Sequence, residues 1–242
     1  MKRVVSGFRS AFLGAAACLP LVVGAGAVYA IPEADALKKL FVITVFIITD
    51  DKGRPIPSPS LSEGDNQLPL PLFLDQLRAK KELESINKSL PEMKTRVTAV
   101  PLSVILEDVK TVNSKLQGKK FVPLVISQGS DRDKAVELLR KSGVSEKDIT
   151  QGLQVPVFFS EPNISINTPK GPKIVFFLSY EDSFSAINQI KDKKMELMVS
   201  DFFQVLDRII KTKDDLFMFY PSQFFIKSAQ ELQKRIVRAL EG

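Results

Sequence analysis

Five stretches of this chain recur in the same order further along it. Val45-Phe46 faces Val157-Phe158, and Leu70-Pro71-Leu72-Phe73-Leu74 faces Ile174-Val175-Phe176-Phe177-Leu178. Leu102, Ile105-Leu106 and Val109 correspond to Phe202, Val205-Leu206 and Ile209. Phe121 with Ser127-Gln128 matches Leu216 with Ser222-Gln223, and Ala135 with Glu137-Leu138 matches Ala229 with Glu231-Leu232. The offset falls steadily from 112 to 94, so connections were shortened while elements were kept. A chain duplicated in this way must build one supersecondary unit twice and cover the seam between the copies.

Residue patterning supplies the unit. Short β-branched and aromatic runs at 42–49, 72–74, 94–100 and 121–127 read as strands, and so do 155–160, 173–179, 195–200 and 216–220. Helices are predicted over 75–89, 131–141 and 181–190, with Ser130 as an N-cap. Leu102, Ile105, Leu106, Val109, Val112 and Leu116 form one apolar stripe at helical spacing, and Phe202, Val205, Leu206, Ile209 and Ile210 form its counterpart. A last helix carries Phe225, Ala229, Leu232, Ile236 and Leu240. Residues 55–71, with prolines at 55, 57, 59, 69 and 71, read as a surface loop, and 142–154 as a linker with a helical turn. The expected fold is α/β (α+β): two pseudo-twofold-related β-β-α-β-α-β-α lobes, 31–150 and 151–242, forming one two-lobed body.

Residues 1–30 stand apart from this. Lys2, Arg3 and Arg9 precede an apolar run over 11–27, and Val28 and Ala30 place small residues at the −3 and −1 positions of a signal-peptidase cut before Ile31. The run is shorter than the ~20 residues a bilayer core needs, and Pro20, Gly24 and Gly26 weaken it as an anchor. Lipid attachment at Cys18 lacks the upstream leucine. The expectation is a signal peptide and an exported product, in the periplasm or a thylakoid lumen.

The full chain has no histidine, and its single cysteine is Cys18, inside the leader. Imidazole-based triads, His/Cys zinc sites and CxxC redox pairs are excluded. Losing the leader reduces the formal charge from +6 to +3, which argues against a nucleic-acid partner. Ser85-Ile86-Asn87-Lys88 has the spacing of Ser–Lys acyl enzymes but lies among Lys80, Lys81, Glu82 and Glu84, as a solvated helix face would. The acidic pairs Asp50-Asp51, Asp131/Asp133 and Asp214-Asp215 lack the ligand spacing of a calcium loop, and helix-dipole stabilisation accounts for Asp131 and Asp133. No nucleotide-binding glycine loop is present, so no cofactor and no metal is expected.

Phenylalanine is the informative residue. Eleven of the 17 lie beyond residue 150, which is more rings than one small core accommodates. Neighbouring pairs on strands, Phe158-Phe159 and Phe176-Phe177, point to opposite faces of a sheet. A core covered on both faces explains many of them; the surplus is expected to line an apolar groove. The groove is assigned to Phe158, Phe176, Phe203, Phe217 and Phe225. Phe46, Phe73, Leu102 and Phe121 form a second, less aromatic pocket.

The duplicated unit, the leader and three blocks carry a resemblance. The blocks are Val45-Phe46-Ile47-Ile48-Thr49-Asp50 with Gly53, Val155-Pro156-Val157-Phe158-Phe159-Ser160, and Val199-Ser200-Asp201-Phe202-Phe203. Over residues 40–235 the chain resembles a cyanobacterial member of the 22-kDa subunit family of the chloroplast inner-envelope translocon (Tic). That resemblance implies a protein of the space between two membranes with chaperone-like apolar pockets. It would escort unfolded precursor or outer-membrane polypeptides and work with an Omp85-type barrel assembly protein and membrane complexes. It implies no catalytic residue. The alternatives are a non-catalytic structural subunit of an envelope translocon and a small enzyme using lysine or carboxylate chemistry. The long Pro/Ser loop departs from the family pattern.

Overall fold

The computed structural model describes residues 33–58, 67–89, 91–190, 194–212, 215–221, 223–227 and 230–231. The expected leader, Pro59, and Ala229, Leu232, Ile236 and Leu240 of the expected last helix lie outside them. The chain is a mixed α/β structure. It opens with α1 (Glu33–Lys38) and a 3₁₀ turn (Lys39–Val42), followed by β1 (Thr44–Asp50), β2 (Gln67–Phe73) and α2 (Gln76–Ser89). Next come β3 (Thr95–Pro101), α3 (Leu102–Lys115), β4 (Lys120–Ile126) and α4 (Gly129–Lys141). A short α5 (Glu146–Gly152) leads to β5 (Pro156–Glu161), β6 (Ser165–Thr168), β7 (Gly171–Phe176) and α6 (Tyr180–Asn188). The last elements are β8 (Glu196–Asp201), α7 (Phe202–Lys211), β9 (Phe217–Phe219) and a helical stretch at 223–227.

The first sheet has the order β3-β1-β2-β4. β1 is antiparallel to both neighbours, and β2 runs parallel to β4. The second half has an antiparallel pair β5-β8 and a three-stranded β6-β7-β9, with β6 antiparallel and β9 parallel to β7; one bridge joins the two, and together they are called the second sheet. Phe158 bridges to Phe177, each N–H donating to the other's carbonyl at 2.8 Å. In the first half β1 meets β2 at one register pair, Phe46 with Phe73. Equivalent bonds start the two central helices: Leu102 N donates to Ile43 O and Phe202 N to Val155 O, both at 2.8 Å.

Alternation along the strands sorts the side chains into three cores. Val45, Ile47, Leu70 and Leu72 from the first sheet meet Val157, Phe159, Phe176 and Phe219 from the second in a central core. The buried stripes of α3 (Leu102, Ile105, Val109) and α7 (Phe202, Val205, Ile209) pack into it. The opposite face of the first sheet, with Phe46, Ile48 and Phe73, packs on Ala79 and Ile86 of α2. The opposite face of the second, with Phe158, Phe177 and Val199, packs on Ala135 and Leu139 of α4 and Ile149 of α5. With both faces covered, β1 is buried at six of its seven positions, which is why it reads as an unbroken apolar run.

Three expectations change. Residues 55–71 are not all surface loop, because Pro69 and Pro71 are buried within β2. β1 and β2 have already parted there, so no ladder donor is required of them. The gap is met by residues 55–58: Ile56 N donates to Ile48 O at 2.9 Å, and Ser58 N to Pro69 O at 2.9 Å. Ser130 does not cap α4; the helix begins earlier, at Gly129, with Gln128 as its N-cap residue and no capping side chain. The second half also holds an additional strand, β6, that the expected β-β-α-β-α-β-α unit lacks. The linker at 142–154 contains its expected helical turn as α5, capped by Ser145 through the Asp148 N–H.

Candidate functional site

A cleft of about 350 Å³ opens where the carboxyl ends of β2 and β7 approach each other. Leu74 and Leu178, which occupy equivalent positions just past those strands, face it from opposite sides, and Phe46 and Phe224 supply aromatic wall. The two rings meet edge-on at 5.0 Å between centroids. Tyr220 completes the apolar part.

The polar rim comes from helix starts. Asp75 accepts from Leu77 N at 3.0 Å and from Arg78 N at 3.2 Å, capping α2. Ser179 caps α6 through the Asp182 N–H. Asp182 also accepts from Gln223 Nε2 at 3.1 Å. Asp131 is buried, and its Oδ1 accepts from Tyr180 N at 2.9 Å, so a side chain of α4 closes the first turn of α6. Burial pushes the Asp131 carboxyl up to about 6; the Tyr180 N–H opposes the rise, and the charges of Glu181, Asp182 and Asp75 add to it. The sequence explained Asp131 by the dipole of its own helix, but its carboxylate serves a neighbouring one.

The expected groove residues are not brought together. Phe176, Phe217 and Leu102 are buried in the central core, with Phe121 packed half-buried against it. Phe158 is sealed beneath the second sheet's outer helices, while Phe46 and Phe73 are buried against α2 on the first sheet, with Phe46 bordering the cleft. These six buried side chains belong to three separate cores, because successive residues on a strand project to opposite faces. Phe203 is exposed, and Phe225 is half-buried with its ring 6.1 Å from that of Phe41. The exposed rings are Phe41, Phe184, Phe203 and Phe224, at 37–49% of their full area. Phe184 stacks on Tyr180 at 5.7 Å. Phe41, Phe184 and Phe224 escaped the sequence assignment: nothing in a local pattern reveals which ring a later helix will cover.

The remaining candidates stay structural. Ser85 and Lys88 lie on the exposed side of α2. Asp50 closes the turn after β1 by accepting from Lys52 N, Arg54 N and Arg54 Nε, with Gly53 at φ 78°. Hydrogen bonding to Arg54 holds its carboxyl below the ordinary range. Asp215 is gripped by Lys39 and Lys173, which tie the 3₁₀ turn and β7 to the residues before β9. Among the described residues no three His, Cys, Asp or Glu side chains converge as a metal site, and no helix is long and apolar enough to cross a membrane.

Neither a family model nor a curated protein matches the sequence. Solved structures match the fold, among them two Tic22 chains. Anabaena Tic22, described as a protein-transport protein, superposes with a TM-score of 0.67 at 20% identity, over 84% of this chain and 97% of that one. Tic22 from Plasmodium falciparum superposes with a TM-score of 0.62 at 21% identity, over 81% and 96% respectively. The chain has the Tic22 fold.

Proposed function

We propose that this chain is a Tic22-type transport protein of cyanobacterial kind, exported to the periplasm, that escorts unfolded polypeptides without catalysis or cofactor. The observation that carries the reading is the match of its fold, over 84% and 81% of its length, to two Tic22 chains, one described by its role in protein transport. The site moves from the expected groove to the surface. Phe41, Phe184, Phe203 and Phe224 are the most exposed phenylalanine rings among the described residues, and an exposed phenyl group gains by covering itself with an apolar client. Clients would be precursor or outer-membrane polypeptides, with an Omp85-type barrel assembly protein as the receiving partner.

Phe203 is the discriminating residue, because its removal costs less than that of the core phenylalanines. Phe203→Ser is expected to cost about 1 kcal/mol, since the ring is only partly exposed and meets Phe202 edge-on at 5.3 Å. Phe203→Ser combined with Phe224→Ser is expected to weaken suppression of aggregation of a chemically unfolded test protein, followed by light scattering. A folded double variant that suppresses aggregation as well as the unaltered chain would remove the exposed rings from the site. Obligate co-purification with one fixed partner, with no suppression by the lone chain, would favour a structural subunit instead.

A further inference from the structure

We propose that the outer edge of β3 is a docking edge on which an extended client segment adds as a further antiparallel or parallel strand. The inference deepens the escort reading and rests on it. The bonding register identifies the free groups. Because Leu102 N donates to Ile43 O, the hydrogen-bonded pairs of β1 and β3 in step with it are Val45 with Val100, Ile47 with Thr98 and Thr49 with Arg96. The main-chain N–H and C=O groups of Thr95, Val97 and Ala99 therefore point away from β1. β3 has β1 as its one strand partner, and among the described residues these outward groups have no main-chain partner.

The edges of β4, β9 and β8 are managed differently. In β4, Leu74 N donates to Ile126 O, which turns Phe121, Pro123 and Val125 outward. Asn113 occupies both main-chain groups of Phe121, donating to its carbonyl and accepting from its N–H at 2.8 Å each. Pro123 has no N–H to offer. This edge is closed to another strand in the manner expected of a protein that avoids edge-to-edge association. On β9 the outward carbonyl of Phe217 is taken by Lys39 Nζ at 2.8 Å. β8 repeats the register of β3, but Val199, in the place of Ala99, is buried against α4 and α5 residues. Ala99 is exposed, so β3 combines free main-chain groups with a side chain too small to shield them.

The edge specifies its occupant as an extended polypeptide, since donors and acceptors at two-residue spacing match only another strand. Its side chains would alternate between the row of Val97 and Ala99 and the row of Thr98 and Val100, favouring small or β-branched apolar residues. Exposed Lys94 and Arg96, against Glu92, leave the start of β3 net positive and favour an acidic residue there.

The test uses a fluorescein-labelled peptide of alternating valine and threonine with glutamates at one end. In the unaltered chain, saturating peptide is expected to slow hydrogen exchange at the Val97 and Ala99 amides, read by NMR. Ala99→Pro removes one outward donor and no bond of the β1–β3 ladder, a substitution edge strands tolerate. It is expected to weaken binding by about tenfold in fluorescence anisotropy, the worth of one interfacial hydrogen bond. Unchanged exchange at Val97 and Ala99 in the saturated chain overturns the proposal whether or not the proline variant folds, and so does undiminished binding by a folded Ala99→Pro. If the chain still suppresses aggregation in either case, only the docking edge falls. If it binds neither peptide nor unfolded protein, the escort reading falls with it. Concentration-dependent protection of these amides without peptide would assign the edge to a second copy and overturn the proposal.

Discussion

Beside the Phe46–Phe73 and Phe158–Phe177 pairings, the two central strands of each sheet diverge, and the two halves fill the opening in different ways. In the second half β6 enters as a paired strand: Val175 N donates to Ile164 O at 3.1 Å, and four register pairs join β6 to β7. In the first half the position of Val175 is held by Pro71, which has no hydrogen to donate. Residues 55–58 therefore lie in the opening on two isolated bonds rather than as a regular strand. The helix starts differ similarly. Asp201 accepts from Gln154 N, Val155 N and Phe203 N at 2.8–3.0 Å, whereas Pro101, at the equivalent place before α3, has no capping side chain. The central core is also lopsided, since Phe176, Phe219 and Phe202 stand where the first half has Leu72, Val125 and Leu102. A duplicated unit can keep its hydrogen-bond topology while volume is redistributed across the seam, because the core constrains total volume more tightly than the identity of each side chain.

The largest test of this comparison is at the two pinches. Phe158→Ala is expected to cost about 3–5 kcal/mol in urea unfolding, the range for a buried phenylalanine whose cavity cannot collapse. Phe46→Ala is expected to fall toward the lower end, because its ring borders the cleft and water can enter the space. Equal losses would mean that the cleft gives Phe46 no relief. The helix starts come next. Asp201→Ala leaves three N–H groups without their acceptor and is expected to cost about 2–3 kcal/mol. Pro101→Asp, which offers α3 the missing cap, is expected to gain up to about 1 kcal/mol in the same assay.

A further test is read against pH. The Asp131 carboxyl in the folded chain lies at about 6, above its ordinary 3.8, so the folded state holds this proton more tightly than the unfolded one. Its stabilising contribution is full below about pH 4 and is lost as pH rises through about 6. Asp131→Asn keeps an oxygen for the Tyr180 N–H and removes the titration. The unaltered chain is expected to lose about 1–2 kcal/mol relative to that variant between pH 4 and pH 7, allowing for solvent in the cleft. Parallel stability–pH curves would show that Asp131 is not the group concerned.

Much of the architecture could be read from local pattern. The apolar runs anticipated β1, β5 and β7 as strands and α3 and α7 as helices. Period-two alternation correctly sent Phe158 and Phe159, and Phe176 and Phe177, into different cores. The misses have a common cause. β6 is short and largely exposed, and Pro69 and Pro71 look like loop residues until their outward sides are known to need no donor. The candidate site was the least legible part. Burial of Phe176 or Phe217 depends on residues brought in from the other half, and the capping role of Asp131 depends on a helix 49 residues away.

Periodicity, turn chemistry and self-similarity act through neighbours along the chain, and those terms alone determined the order of elements, their repetition and the face each side chain takes. Whether a given face meets protein or water was decided by tertiary packing: α4 covers the second sheet, and Phe224 reaches Phe46 on the first. The rings that stay wet, the cleft and the open edge of β3 are all consequences of that packing. Burial is a property of contacts between distant segments, and no local stretch of sequence carries it.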